Sequence, residues 1–484
     1  MIDLSRNIKS IQDIMRKDAG VDGDAQRLGQ IAWMFFLKIF DDNEKESELL
    51  EDNYQSPILG KYRWRNWADN REGITGDELL DFVNNHLFIY FKNEILTSSE
   101  NKLIAKVIKG LFEDANNYMK SGTLMRQVIN KINEIDFNAK DQKNIFGDIY
   151  EQLLKQLQSA GNAGEFYTPR GVIDLMVEII DPKLHESVLD PATGTGGFLT
   201  SALEHKRKYH IKSVDDTSIA DNSIYGFEKK TLPYNLCITN LILHNLKTPS
   251  NIFHQNTLVR PLKDYNENDE VDIILSNPPF GGNEEDGIEN GFPTKFRTRE
   301  TADLFLVLII KLLKKNGRAA IILPDGFLFG DGVKNNIKEY LFENCNLHTI
   351  LRLPNSVFAP YTSIKTNVLF IEKKGSTKKI DYYEHKIPKE LKNYNKTRPI
   401  RKSDMNDFLK WFKKKDYKNE NSWTVSIDEI RANNLNLDID NPFVKEKEIL
   451  NFDNLIQKID KKNKVILELQ NQIKSKLKQI LDVW

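Results

Sequence analysis

The first part of the chain carries apolar side chains at helical spacing. Ile8, Ile11 and Met15 recur three or four residues apart, and later segments repeat this pattern. Alternation of single apolar and polar residues, which indicates half-buried strands, is scarce here. A run of small residues at 159–164 then interrupts the pattern and has the composition of a linker. The pattern predicts an all-α N-terminal domain over residues 1–158.

Downstream, short apolar runs alternate with amphipathic helical segments. Strands are expected at 187–190, 224–228, 271–276, 318–324, 348–354 and 365–372, with helices near 171–180, 197–208, 232–246, 303–315 and 333–343. Strands separated by helices form a mainly parallel sheet covered on both faces. The pattern therefore predicts an α/β domain over 159–400, with a mixed, mainly parallel sheet. Its ligands should bind where the strands end.

Near the C-terminus, apolar residues recur at intervals of seven, at Phe452, Ile459, Ile466, Ile473 and Ile480. Heptad spacing predicts a long amphipathic helix over 444–484. It could pack on its own domain, but a terminal position after a polar stretch favours a partner helix. A basic connecting region is expected over 401–443.

Composition is that of an ordinary globular protein, with 40% hydrophobic and 29% charged residues among 484. Two cysteines, Cys237 and Cys345, cannot form a disulfide scaffold, and the eight histidines show no metal-ligand spacing with them. We therefore predict no metal site. The longest apolar run, 304–310, is too short to span a bilayer, and the first residues lack a signal-peptide core. A cytoplasmic protein that does not bind membranes is expected.

The formal net charge of -1 hides an unequal distribution. From Glu372 to the C-terminus there are 26 basic and 18 acidic residues, so this region carries +8 and the remainder carries -9. An acidic body joined to a basic region indicates different partners for the two parts, although a Lys-rich solvated surface would have the same composition.

A glycine-rich turn between a predicted strand and a predicted helix is the first candidate site. It comprises Asp190, Pro191, Ala192, Thr193, Gly194, Thr195, Gly196, Gly197 and Phe198. Glycines let the backbone approach a ligand, and the helix N-terminus favours an anionic group. The spacing is not that of a dinucleotide site. A carboxylate before the glycines suits a cationic amino group, and Glu228 at the next strand end suits ribose hydroxyls. These groups together indicate S-adenosylmethionine.

The second candidate site, Asn277, Pro278, Pro279 and Phe280, follows the predicted strand 271–276. By itself Asn-Pro is a common turn. The two prolines stiffen the turn, and the Asn277 side-chain oxygen and the Pro278 carbonyl can accept both hydrogens of one NH2 group. Phe280 can stack on the attached ring. Two such acceptors would localise the nitrogen lone pair and stabilise the positive charge that develops during methyl transfer.

A third segment lies upstream of the glycine-rich turn and contains Glu165, Phe166, Tyr167, Thr168, Pro169 and Arg170. Its aromatic residues could wall off the methionine end of the cofactor. Taken alone, it is an ordinary turn before a helix, with Thr168 as a cap.

The order FYTPR, DPATGTGGFL, GFE and NPPF resembles the modification (M) subunit of type I restriction-modification systems. The resemblance runs over nearly the whole chain. It implies a class I methyltransferase (Rossmann-like) fold with an N-terminal all-α domain and a C-terminal helical tail. The implied reaction is methylation of adenine N6 in double-stranded DNA from S-adenosylmethionine, with the target base flipped out of the duplex.

The resemblance also implies roles for individual residues. Cofactor contacts are implied for 165–170, for the turn from Asp190 to Phe198, for Glu228, and for Asn256, Thr257 and Leu258 beside the cofactor adenine. Asp303 is expected in the same pocket. Phe358 is expected to stack on the target base together with Phe280.

The resemblance further implies a complex in which a separate specificity (S) subunit reads the DNA sequence. Two M subunits would join one S subunit, and motor-nuclease (R) subunits could be added to this complex. The motif alone leaves alternatives open, because N4 of cytosine, an RNA adenine and a protein glutamine each present a conjugated NH2 group. A non-catalytic scaffold subunit is a further alternative.

Overall fold

The computed structural model describes residues 4–50, 52–137, 168–359, 362–395, 397–414, 419–443, 459–464, 466–471 and 473–474. The N-terminal part is helical throughout its regular structure. Its α-helices are α1 (Leu4–Met15), α2 (Asp24–Leu50), α3 (Trp64–Trp67), α4 (Gly76–Asp81), α5 (Ile95–Ser98), α6 (Lys102–Glu113) and α7 (Gly122–Asn133). Two π-helical segments, Phe82–Leu87 and Tyr90–Glu94, lie between α4 and α5.

Local sequence signals explain where these helices begin. The side chain of Asn101 accepts a hydrogen bond from the Ile104 N–H at the start of α6, and Ser121 accepts one from Leu124 at the start of α7. Such caps satisfy backbone donors that have no partner inside the helix. Most apolar side chains of α2 are buried, including Phe35. The described residues before 138 form helices and no strands, which confirms the predicted all-α character.

The remaining described residues form an α/β structure. Its helices are α8 (Arg170–Ile180), α9 (Gly197–Tyr209), α10 (Val214–Asn222), α11 (Thr231–Leu243), α12 (Thr301–Leu312), α13 (Asp325–Phe329), α14 (Val333–Asn344), α15 (Asn406–Lys414) and α16 (Ile427–Ala432). Its strands are β1 (Val188–Asp190), β2 (Ile224–Glu228), β3 (Ile252–His254), β4 (Val271–Ser276), β5 (Leu313–Pro324), β6 (Asn346–Leu353), β7 (Thr366–Glu372), β8 (Lys379–Glu384) and β9 (Ser422–Ser426).

The strands form one nine-stranded sheet in the order β3-β2-β1-β4-β5-β7-β6-β8-β9. Strands β3, β2, β1, β4 and β5 are mutually parallel, whereas β7 pairs antiparallel with both β5 and β6. This is the predicted mixed, mainly parallel sheet. The chain adds β2 and β3 on one side of β1 and β4 on the other, so the strand order reverses beside β1. In parallel α/β sheets such a reversal opens a crevice at the carboxyl ends of the strands.

Side chains of β4 show how the sheet is buried on both faces. Ile273 and Leu275 pack into a hydrophobic core that continues into the helical N-terminal part, and Ile274 points into a second core on the opposite face. Alternate residues of a strand point to opposite faces, so this continuous apolar run requires cover on both sides. Helices supply that cover.

Several elements differ from the sequence expectations, and β8, α13, α15 and α16 are among those that were not predicted. Helix α12 ends at Leu312 and β5 begins at the next residue, whereas the helix was expected to continue to 315. The apolar residues at this junction suit either element, so periodicity could not separate them. The three-residue strand β3 and helix α10 were not predicted. The expected connecting region 401–443 contains β9, which is hydrogen-bonded to β8, so it extends the sheet. The domain boundaries themselves stay predictions.

The chain divides into two compact units, Met1–Ile439 and Asp440–Trp484. In the second unit, the described residues between 459 and 474 are helical, and Ile459, Ile466 and Ile473 each expose more than half of their surface. Phe452 and Ile480 of the predicted heptad pattern lie outside the described residues. Among the described residues, no helix combines the length and apolar character that crossing a membrane requires.

Candidate active site

Three of the predicted site residues lie where neighbouring strands end. Asp190 is the last residue of β1, Glu228 is the last residue of β2, and Asn277 directly follows β4. Ser276 donates a hydrogen bond to Asp190 Oδ1 at 2.9 Å and so joins the ends of β1 and β4. The glycine-rich turn is tied to β2, because the Gly194 N–H donates to Glu228 Oε2 at 2.9 Å.

The glycine-rich turn needs its glycine at position 196. Gly196 has a φ of 78°, which a residue with a Cβ rarely adopts, and a Cβ here would lie 2.7 Å from Cys237 Sγ. The turn leads directly into α9, which begins at Gly197. The first N–H groups of a helix have no partner within the helix, so a helix start is a place that favours anionic ligand groups.

The two carboxyl groups at the strand ends are nearly inaccessible to solvent. Burial raises the pKa of Asp190 and that of Glu228, each to about 7, and the proximity of Glu228 adds to the effect on Asp190. Among the described residues, no cationic side chain forms an ion pair with Asp190. A ligand with an ammonium or sulfonium group would supply the missing positive charge, so these residues fit S-adenosylmethionine.

The segment predicted to contact the cofactor adenine follows β3 and contacts the glycine-rich turn. Asn256 Oδ1 accepts from the Leu258 N–H at 3.0 Å, and the Thr257 hydroxyl donates to the Pro191 carbonyl at 2.6 Å. The structure thus brings this segment together with the turn, although the two are 66 residues apart in sequence.

The amide nitrogen of Asn277 has a hydrogen-bond partner, whereas its amide oxygen has none among the described residues. Its Nδ2 donates to Thr168 Oγ1 at 2.9 Å, which links the second candidate segment to the third. Its Oδ1 is buried and receives no hydrogen bond from the described residues. A buried acceptor without a donor is costly unless a ligand supplies one. The amide is therefore oriented with its acceptor available for an NH2 group.

Both residues expected to stack on a target base lie side by side. The rings of Phe280 and Phe358 meet edge to face, with centroids 6.1 Å apart and planes at 88°. Phe358 is buried, whereas Phe280 is half-buried. Pro278 is buried and Pro279 is half-buried, so the turn that carries Phe280 is anchored.

Other predicted residues are placed differently. Glu165, Phe166 and Tyr167 lie outside the described residues. Arg170 starts α8 and pairs with Asp174 and Glu204, and Asp303 at the start of α12 pairs with Lys334 Nζ at 2.6 Å.

Sequence reasoning missed Glu284, a buried carboxylate seven residues beyond Asn277. Glu284 contacts Asn256, and only the folded chain reveals this, because no local pattern marks it.

A cluster of one carboxylate and two imidazoles joins the C-terminal ends of α8 and α9. Asp181 Oδ1 lies 2.8 Å from His205 Nε2 and 3.5 Å from His210 Nε2, and Lys183 pairs with the other carboxylate oxygen. The prediction of no metal site considered only spacing from the cysteines and overlooked this grouping. The ammonium of Lys183 already balances the carboxylate charge, and the absence of a metal stays a prediction.

Comparison with known protein families covers most of the chain. The N-6 DNA Methylase model matches residues 141–450, and the HsdM N-terminal domain model matches residues 4–132. The chain is 54% identical over 477 residues to the type I restriction enzyme EcoEI methylase subunit of Escherichia coli, with 97% of both chains covered. It is 29% identical to the EcoKI methylase subunit of Escherichia coli strain K12, with 77% of this chain and 67% of that protein covered.

Solved structures show the same similarity in three dimensions. A modification subunit assigned to a type I restriction enzyme of Vibrio vulnificus YJ016 has a TM-score of 0.82 and 43% identity, with 90% of this chain and 96% of that chain covered. A chain from a study of complex assembly in the type I R-M system has a TM-score of 0.79 and 32% identity, with 98% of each chain covered.

Proposed function

Because the chain belongs to the N-6 DNA Methylase family, as a methylase subunit of type I restriction enzymes, we propose that its strand-end site methylates N6 of adenine in double-stranded DNA. One observation carries the assignment of the site. The amide nitrogen of Asn277 donates to Thr168, and its buried oxygen has no donor among the described residues; Phe280 follows in the same segment, in contact with Phe358. This arrangement suits a planar ring that bears an NH2 group.

In the proposed reaction, the target adenine leaves the duplex and its ring contacts the two phenylalanines. Asn277 Oδ1 and the Pro278 carbonyl accept the two N6 hydrogens. The nitrogen becomes positively charged as it attacks, and the fixed acceptors stabilise that charge without reorganising. One N6 proton is then lost to water. The fixed amide therefore contributes to the rate through both position and electrostatics.

We propose that the cofactor is held by the glycine-rich turn and by the carboxyl groups around it. Asp190 would pair with the cationic amino-acid end, Glu228 with the ribose, and the segment from Asn256 to Leu258 with the adenine. S-adenosylmethionine supplies an activated methyl group when it is bound. The buried carboxyl groups of Asp190 and Glu228, with pKa values raised to about 7, support a cationic ligand at this place.

We further propose that the chain works as part of a complex with a specificity subunit that reads the DNA sequence, a second M subunit and, when present, a motor-nuclease subunit. Two observations support a partner. The described tail residues Ile459, Ile466 and Ile473 expose apolar side chains at heptad spacing. The body of the chain up to residue 371 carries a net charge of -9, so a subunit that grips DNA alone is not expected.

The test is co-expression with the specificity subunit in a host that has no adenine methylation, followed by sequencing that detects modified bases. We expect N6-methyladenine at one recurring sequence, and none when Asn277→Ala replaces the wild-type chain. Modification of cytosine instead would favour the N4-cytosine alternative. A wild-type complex that binds S-adenosylmethionine but modifies no base would contradict the proposal.

A further inference from the structure

The loop Gly281–Gly287 directly follows the segment Asn277–Phe280 and has a glycine with a positive φ at each end. Gly281 and Gly287 have φ values of 74° and 97°, a region that favours glycine. Between them, Asn283 forms an antiparallel bridge with Glu300, and the Gly282 carbonyl accepts from the Thr301 N–H at 3.2 Å. Backbone hydrogen bonds therefore hold the middle of the loop, between two glycines whose conformation other residues rarely adopt, and its side chains add further contacts.

Glu284 supplies the contacts that reach furthest from this loop. Its side chain is 9% exposed, and Oε2 accepts from Asn256 Nδ2 at 3.0 Å and lies 3.3 Å from Lys229 Nζ. Asn256 follows β3, and Lys229 comes directly after Glu228 at the end of β2. One buried carboxylate thus joins the loop behind Asn277–Phe280 to two of the strand ends that the proposed function assigns to the cofactor.

Asn256 is oriented at both ends of its amide group. Its oxygen accepts from the Leu258 N–H, and its nitrogen donates to Glu284. A ligand that contacts this amide must either preserve the bond to Glu284 or shift it. Only three residues separate Glu284 from Phe280 in the chain. A displacement of Glu284 would therefore also displace the backbone next to Phe280.

We propose that Glu284 is a positioning residue that couples cofactor binding to the placement of the Asn277–Phe280 segment. The inference rests on the proposed function. Bound cofactor would stabilise the existing pair of Asn256 and Glu284, and the loop would then hold Phe280 where it receives the flipped base. Without Glu284, the cofactor and the base would bind independently and each less well.

The test uses the complex of this chain with its specificity subunit and compares Glu284→Ala and Glu284→Gln with Glu285→Gln. Glu285 is a matched control, because it also pairs with Lys229 but its side chain is 75% exposed. Two quantities are measured: the calorimetric Kd of sinefungin, an unreactive cofactor analogue, and the fluorescence of 2-aminopurine at the target adenine with and without sinefungin. The position of the target adenine is taken from the sequencing experiment that maps the methylated bases.

We expect Glu284→Ala to weaken sinefungin binding by about tenfold, since a hydrogen bond to a charged group is lost. It should also abolish the rise in 2-aminopurine fluorescence that sinefungin causes in the wild-type complex. Glu284→Gln should have an intermediate effect, and Glu285→Gln should match the wild type. Melting temperatures within a few degrees of the wild type would exclude misfolding as the cause.

Three outcomes are informative in different ways. Wild-type behaviour of both Glu284 variants would overturn the proposal. Weaker sinefungin binding with an unchanged fluorescence response would also overturn it, because Glu284 would then serve the cofactor alone. If the wild-type complex itself bound no sinefungin, the proposed function would fail, and this is distinguishable because it does not involve the variants.

Discussion

Replacement of Asn277 by Ala removes the side-chain oxygen that we propose accepts a hydrogen bond from the reacting amino group. The cost of losing one preorganised partner of a developing charge is about 100- to 1,000-fold in kcat, or about 3–4 kcal/mol. The hydrogen bond from Nδ2 to Thr168, at 2.9 Å, serves only to orient the amide. Thr168→Val should therefore cost about fivefold, which corresponds to the roughly 1 kcal/mol of a neutral hydrogen bond.

The assay is a single-turnover measurement of labelled methyl transfer to DNA by the complex with the specificity subunit. Asn277→Asp is the matched variant, because its carboxylate can accept both from the Thr168 hydroxyl and from the amino group, and we expect it to retain more activity than Asn277→Ala. Cofactor Kd should stay within about twofold in the two Asn277 variants, since Asn277 is not among the residues assigned to the cofactor. A transfer rate for Asn277→Ala within about threefold of the wild type would refute the reasoning, because the amide oxygen would then contribute almost nothing.

Four further predictions concern the same site. Phe280→Ala and Phe358→Ala should each lower the cofactor-dependent fluorescence of 2-aminopurine at the target, since stacking on an aromatic side chain contributes about 1–3 kcal/mol per base, and unchanged fluorescence would argue against stacking. Because Asp190 has a pKa raised to about 7, its carboxyl group becomes the anionic partner of a cationic ligand only as pH rises. Calorimetry should show cofactor Kd falling about tenfold between pH 6 and 8, with protons released on binding, and a flat profile would contradict this assignment. The same raised pKa values mean that the unliganded fold loses stability from these groups as pH rises from their ordinary pKa to about 7, which melting temperatures across pH can check. Gly196→Ala would place a methyl group 2.7 Å from a buried cysteine sulfur at a positive φ, so it should lower both melting temperature and cofactor affinity, and a variant that binds normally would show that the turn adapts.

The parts of the site that the sequence revealed are those with local signatures. The turn is marked by glycines, which adopt backbone conformations that other residues avoid, and the segment Asn277–Phe280 is marked by two prolines, which fix the backbone. Both segments lie where apolar runs end. Because parallel strands end at the same edge of a sheet, locating the strands was enough to bring Asp190, Glu228 and Asn277 together.

Features that depend on pairing between distant segments could not be read in this way. Thr168 and Asn277 are 109 residues apart, and Asn256 and Glu284 are 28 residues apart, with no pattern that matches one to the other. Strand β3 has three residues of which only Ile252 is buried, so it lacks the buried apolar run that marked β1. Strand β9 lies in a basic stretch that composition alone assigned to a connection.

The central claim is that Asn277 presents its acceptor to the exocyclic nitrogen of a DNA adenine. The most direct measurement is mass spectrometry of nucleosides from a DNA duplex in which the target adenine carries 15N at N6, after incubation with the complex and S-adenosylmethionine. The account predicts one methyl group on the labelled nitrogen with the wild-type chain and at least about 100-fold slower formation of that nucleoside with Asn277→Ala. A methyl group on any other atom, or equal formation by both chains, would contradict it.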